Sequence, residues 1–129
     1  MSQEGREDPL RLHKEGTALY DSGKYKEAAE KFLKASGLYE KAGNFFDASY
    51  SLFKVGECHF LLKNYEAALD PFDKAAKIAL EKGYDRFGVG ALEYSLDSYK
   101  ALGKEKSKVA ADLKSKIAEV KKKLEAQGF

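Results

Sequence analysis

Residues 16–43, GTALYDSGKYKEAAEKFLKASGLYEKAG, are answered forty positions later by residues 56–83, GECHFLLKNYEAALDPFDKAAKIALEKG, with no gap between the two alignments. Gly16, Tyr25, Ala28, Phe32, Ala35 and Gly43 recur as Gly56, Tyr65, Ala68, Phe72, Ala75 and Gly83. In each copy the Ala, Phe, Ala spacing of four and three places those side chains on one stripe of a helix. A finer beat of twenty residues runs through the same pattern: Gly23, Gly43, Gly83 and Gly103 close apolar segments, and Lys63-Asn64 fills the missing position. Glycine, and less often asparagine, ends helices because it enters the left-handed backbone region that satisfies the last carbonyls. The chain therefore reads as a row of helices, two to each forty-residue unit. A unit of that kind cannot bury its apolar face alone and stacks on its neighbours.

Outward from these copies the pattern predicts six helices. The first covers 9 to about 22, with Asp8 as N-cap and Pro9 at the first helical position, where its missing N–H costs nothing. The second runs from 24 or 25 to 42. Asn44, with Asp47 three residues on, resembles a capping box opening the third, which should end at 63. Asn64 should cap the fourth, over 65–82, and Asp85 should open the fifth, which ends at 102; the last covers 105 or 107 to 127. Pro71 falls inside the fourth helix, where a proline costs about 3 kcal/mol, so a bend is expected near 67–70. Its counterpart in the first copy is Lys31, which predicts an outward-facing proline. Residues 1–7 are polar and aperiodic and read as a flexible tail. Residues 8–129 read as a single domain made of repeat 8–43, repeat 44–83 and a degenerate third hairpin, 84–127. In that third unit Leu96 stands where Gly16 and Gly56 stood, and Val109, Leu113, Ile117, Val120 and Leu124 make a narrow stripe suited to a capping helix.

Composition bounds the class. A hydrophobic fraction of 43% beside 34% charged residues marks an ordered, helix-rich chain, and a lone Cys58 cannot form an internal bridge. With no apolar run near the length of a membrane span and no charged-then-apolar leader, the expectation is a cytoplasmic protein. The net charge of +2 is too small to point to nucleic acid. It is unevenly placed: residues 104–129 hold eight lysines against four acids, with Lys121, Lys122 and Lys123 flanked by Glu119 and Glu125. Cys58 and His59 are adjacent and so point apart on a helix, and no His, Cys or carboxylate spacing suits a metal. Gly88-Val89-Gly90 lacks the strand and third glycine of a dinucleotide loop and reads as a place of close helix packing or a weakened helix start. No catalytic residue and no cofactor is expected.

At Gly16, Tyr25, Ala28, Phe32 and Ala35, and again at Gly56, Tyr65, Ala68, Phe72 and Ala75, the chain resembles the tetratricopeptide repeat family in a longer, forty-residue form. The resemblance covers roughly residues 10–83 and continues weakly beyond. It implies an α-α superhelix of stacked antiparallel helical hairpins whose first helices line a concave groove, and a non-catalytic role in binding peptides or proteins. In one subfamily, groove lysine, asparagine and arginine clamp a chaperone tail's carboxylate. Here those positions fall on His13, Thr17, Lys54, Gly90 and Tyr94, and the single permanent cation among them points away from that ligand.

On this register the groove displays His13, Thr17, Tyr20, Tyr50, Phe53, Lys54, Glu57, Phe60, Leu61, Glu93, Tyr94, Asp97 and Lys100. Tyr20, Tyr50, Phe53, Lys54, Glu57, Phe60, Tyr94 and Asp97 are the candidate partner-binding residues, since aromatic rings beside a few charges bury large area at low entropic cost. Packing of hairpin on hairpin is the competing use for the same rings. Phe45 and Phe46 divide in the same way: they form a contact patch at a hairpin edge, or one packs beneath the turn and leaves the other partly exposed. Two rival functions rest on the last helix: a homodimeric scaffold joined through Ile117 and Val120, and an RNA-associated protein using the lysines, which predicts steep salt dependence.

Overall fold

A computed structural model describes residues 7–128, so residues 1–6 of the expected tail and residue 129 lie outside the described residues. Six helices follow in order: α1 (Pro9–Asp21), α2 (Tyr25–Lys41), α3 (Phe45–Leu61), α4 (Tyr65–Glu81), α5 (Asp85–Ala101) and α6 (Lys108–Ala126). Among the described residues there is no strand, and each helix packs on its neighbours in the chain. The result is an all-α, helical repeat-like arrangement. Glu7, placed in the tail by sequence, is exposed and pairs with Lys34 at 3.7 Å.

The twenty-residue beat is one turn made five times. Gly23, Gly43, Lys63, Gly83 and Gly103 each have positive φ. Their N–H groups donate to Tyr20, Glu40, Phe60, Leu80 and Lys100, while the following residues donate to Leu19, Tyr39, His59, Ala79 and Tyr99. Each pair of bonds satisfies two of the carbonyls that a helix end leaves open. The left-handed residue at the missing beat is Lys63, not Asn64, with φ of 63°. A side chain there crowds the following carbonyl, by roughly 1 kcal/mol. Lys63→Gly is therefore expected to stabilise the protein by about 1 kcal/mol, read as a higher urea midpoint at unchanged slope. No change, or a loss, would contradict the strain.

The expected caps divide by backbone angle. Asp8 (ψ 121°) and Ser107 (ψ 161°) are extended and accept from Leu10 N and Ala110 N. Asn44 and Asn64 have ψ of 74° and 68° and make no capping bond with their side chains. Each is also the closing residue of the preceding turn, which fixes its backbone away from the extended geometry a cap needs. For the same reason Tyr84 is the cap position of α5, and Asp85 is its first helical residue. Asp85 is buried and pairs with Lys123 at 3.1 Å.

The repeated ladder is the core. Ala28, Phe32 and Ala35 are fully buried, as are Ala68, Phe72 and Ala75. Gly16 and Gly56 admit the rings: an added Cβ would lie 3.0 Å from Phe32 and 2.6 Å from Phe72. Leu96 breaks this rule in α5, but Gly88 gives close approach at another point, with an added Cβ 2.7 Å from Leu80. Pro71 corrects the sequence reading. It is buried rather than outward, α4 runs through it without a break, and it sits beside Phe72 on the packed side of the helix.

α6 closes the stack. Ala110, Ile117 and Val120 are buried, and Leu113 and Leu124 pack against the cluster that holds Val89, Ala91 and Leu92. Val109 departs from the expected stripe and is 50% exposed, because the smaller Ala110 is the buried residue of the first turn. Lys121 pairs with Glu93 at 3.0 Å, so α6 is tied to α5 by ion pairs at both this point and Asp85. The apolar residues that a two-helix seam would need are thus largely covered within the chain.

Candidate functional site

Helices α1, α3 and α5 lie side by side, joined by His13 Nδ1 and Ser51 Oγ at 3.2 Å, and by Phe53 to Phe87 and Tyr94 with ring centroids 5.3 and 5.1 Å apart. The eight candidate residues all lie on these helices but fall into separate groups.

Tyr20, Lys54 and Glu57 form a closed triad. Lys54 Nζ is 2.7 Å from Glu57 Oε1 and 3.6 Å from the centroid of the Tyr20 ring. The Tyr20 phenol is held protonated, its pKa raised first by burial and then by Glu57, to which it also donates a hydrogen bond. The Lys54 and Glu57 side chains are only 15% and 21% exposed. Their charges are satisfied by each other and by the ring, so the triad joins α1 to α3.

Phe53, Phe60 and Tyr94 belong to a second group. Tyr94 stacks on the buried Phe72 at 5.2 Å, and Phe53 and Phe60 meet its ring edge-on. All three are half-buried, which is the hairpin-packing use of aromatic side chains. Asp97 is exposed and lines, with Gly90, Tyr94, Lys100, Lys114 and Ile117, a groove of about 600 Å³ between α5 and α6. Thr17 bonds back to the carbonyl of His13.

Tyr50 stands apart. With Leu10, His13, Tyr39, Phe46, Asp47 and Phe87 it lines a pocket of about 380 Å³ at the N-terminal ends of α1, α3 and α5. Ring contacts run on from His13 to Tyr50, Phe87, Phe46 and Tyr84, with centroids 5.5, 6.1, 5.6 and 5.2 Å apart. Burial lowers the pKa of His13, the nearby Asp47 opposes this, and Lys54 adds to it. The sequence reading named Tyr50 and His13 among the groove residues, and did not name Leu10, Asp47 or Phe87 among them. Their only signal is the spacing of three or four at the starts of first helices, 10 with 13 and 46 or 47 with 50, which the Ala, Phe, Ala ladder on the second helices does not carry. Phe46 is exposed, as one of the two alternatives for the Phe45-Phe46 pair had it, while half-buried Phe45 lies beneath Lys82 Nζ at 4.1 Å.

Cys58 is fully buried, and burial raises its thiol to about 11, so it stays protonated near neutral pH. Burial also lowers His59. Among the described residues, no group of three or more His, Cys, Asp or Glu side chains is placed to hold a metal ion, and no helix is long and apolar enough to cross a membrane. Neither the protein-family models nor the curated proteins compared with this chain give a match.

Proposed function

We propose that this chain is a tetratricopeptide-like, non-catalytic adaptor that holds a peptide or protein segment on the face formed by α1, α3 and α5. The observation that carries this reading is the aromatic surface at the N-terminal ends of those helices. Leu10 is 52% exposed, Phe46 43%, Tyr84 39% and Tyr50 36%. Contiguous exposed apolar surface of this kind marks interaction sites in soluble proteins. Helices packed on both sides hold the rings in place, so binding orders little of the module itself. Phe53 ties that surface to the inner aromatic group through its contact with Phe87, while Tyr20, Lys54 and Glu57 hold α1 to α3 further along the same helices.

The test compares capture of proteins from native lysate by the wild type, by Phe46→Glu/Tyr50→Glu, and by Leu33→Glu, whose site on α2 is 55% exposed. All three positions are exposed enough for circular dichroism to find the fold unchanged. The expected result is a defined protein recovered by the wild type and Leu33→Glu, and reduced about tenfold or more by the double variant. Equal recovery by all three, or no partner for the wild type, would overturn the reading.

A further inference from the structure

The triad of Tyr20, Lys54 and Glu57 shows how this chain places a cation: over an aromatic face and against a carboxylate. Lys82 over Phe45 repeats the first half of that arrangement. The pocket at the start of the first helices has the other two parts. Its walls are Leu10, Tyr39, Phe46, Tyr50 and Phe87, its one carboxylate is Asp47, and no lysine or arginine lines it. Asp47 is exposed, and its charge acts on the two rings beside it, His13 and Tyr39. Arg86 lines a neighbouring pocket, with Phe46 and Phe87 between the two. Burial lowers the pKa of His13 and so favours the uncharged imidazole near neutral pH, and burial with Asp47 raises that of the Tyr39 phenol, which stays protonated.

We propose that this pocket receives the side chain of an arginine or lysine from a partner protein segment, with the cation against Asp47 and the aliphatic stem along Tyr50, Phe46 and Phe87. This rests on the protein-binding reading above and narrows its ligand to a segment carrying a basic residue among apolar ones. Three features favour that occupant. Aromatic faces carry negative charge density and attract cations, and Arg and Lys cover apolar surface with their stems. A carboxylate at the rim rejects an acidic segment by like-charge repulsion. The open pocket, about 380 Å³, lies at the small end of the usual range for ligand sites, about 300–1,000 Å³, and leaves room for one long side chain.

The test is a titration of the full chain, followed by the NMR resonances of Tyr50, Phe87 and Asp47, with three pentapeptide amides. Each has leucine at both ends and differs at the centre, which is arginine, norleucine or glutamate. The arginine peptide is expected to shift all three residues and to bind about tenfold more tightly than the glutamate peptide, with norleucine between them. Asp47→Asn, at an exposed site, should keep the fold and the norleucine binding while removing the preference for arginine. Equal binding of all three peptides at Tyr50 would overturn the cation and leave the protein-binding reading standing. An arginine preference that survives in Asp47→Asn, or no shift at these residues with millimolar peptide, would also overturn the proposal.

Discussion

Phe72→Ala should cost about 3–5 kcal/mol, a fifth or more of the roughly 5–15 kcal/mol stability of a typical domain. The ring is fully buried and meets three helices at once: it belongs to α4, lies against Gly56 of α3, and stacks on Tyr94 of α5, with Phe53 5.6 Å away. Truncation removes the transfer free energy of the ring and leaves a cavity that neighbours on rigid helices fill only in part. Urea unfolding followed at 222 nm would register the loss as a lower midpoint. A cost below about 1.5 kcal/mol would mean that Phe53 and Tyr94 collapse into the space, and that the joint between second and third hairpins is softer than its packing implies.

Gly56→Ala should destabilise by about 1–3 kcal/mol although alanine is the better helix former, because its Cβ would come within 2.6 Å of the Phe72 ring. Gly90 provides the contrast within the same protein. An added Cβ there meets nothing within 4 Å, so Gly90→Ala should stabilise by about 0.5–1 kcal/mol. The two glycines sit in helix interiors and differ in what faces them. In a Phe72→Ala background, Gly56→Ala should turn neutral or stabilising, a coupling that a double-mutant cycle measures directly. Additive costs for the pair would refute the contact as the cause.

Most of the scaffold was legible because the same physical demand recurs at a fixed interval. A helix that folds back after three residues needs a left-handed residue at its end, and a ring packed against a neighbouring backbone needs glycine opposite. Both demands write themselves into residue type at Gly23, Gly43, Gly16 and Gly56. Pro71 was misplaced because the repeat equates it with Lys31, and register says nothing about how a side chain without an N–H packs. Asn44 and Asn64 misled for a different reason: residue type suggests a cap, but the backbone at those positions answers to the preceding turn. The candidate site was less legible still. Tyr20, Lys54 and Glu57 look like a recognition surface when read one by one, yet together they neutralise and cover each other, which depends on three side chains meeting across two helices. Tyr50 was named because it shares a first-helix face with the other groove positions, while Leu10, Asp47 and Phe87 come from three different helices and share no motif.

Because the main packing of each helix is with the helices just before and just after it, most of the contacts that build the fold join neighbours in the chain. Contacts of short sequence separation close with little loss of loop entropy, so chains built this way fold quickly for their size. During synthesis the pair α1 and α2 has its main packing partner available once α3 emerges, well before α6 is made. Of the six helices α6 is made after the others, and its Lys121 and Lys123 meet Glu93 and Asp85 on a helix that α4 already supports.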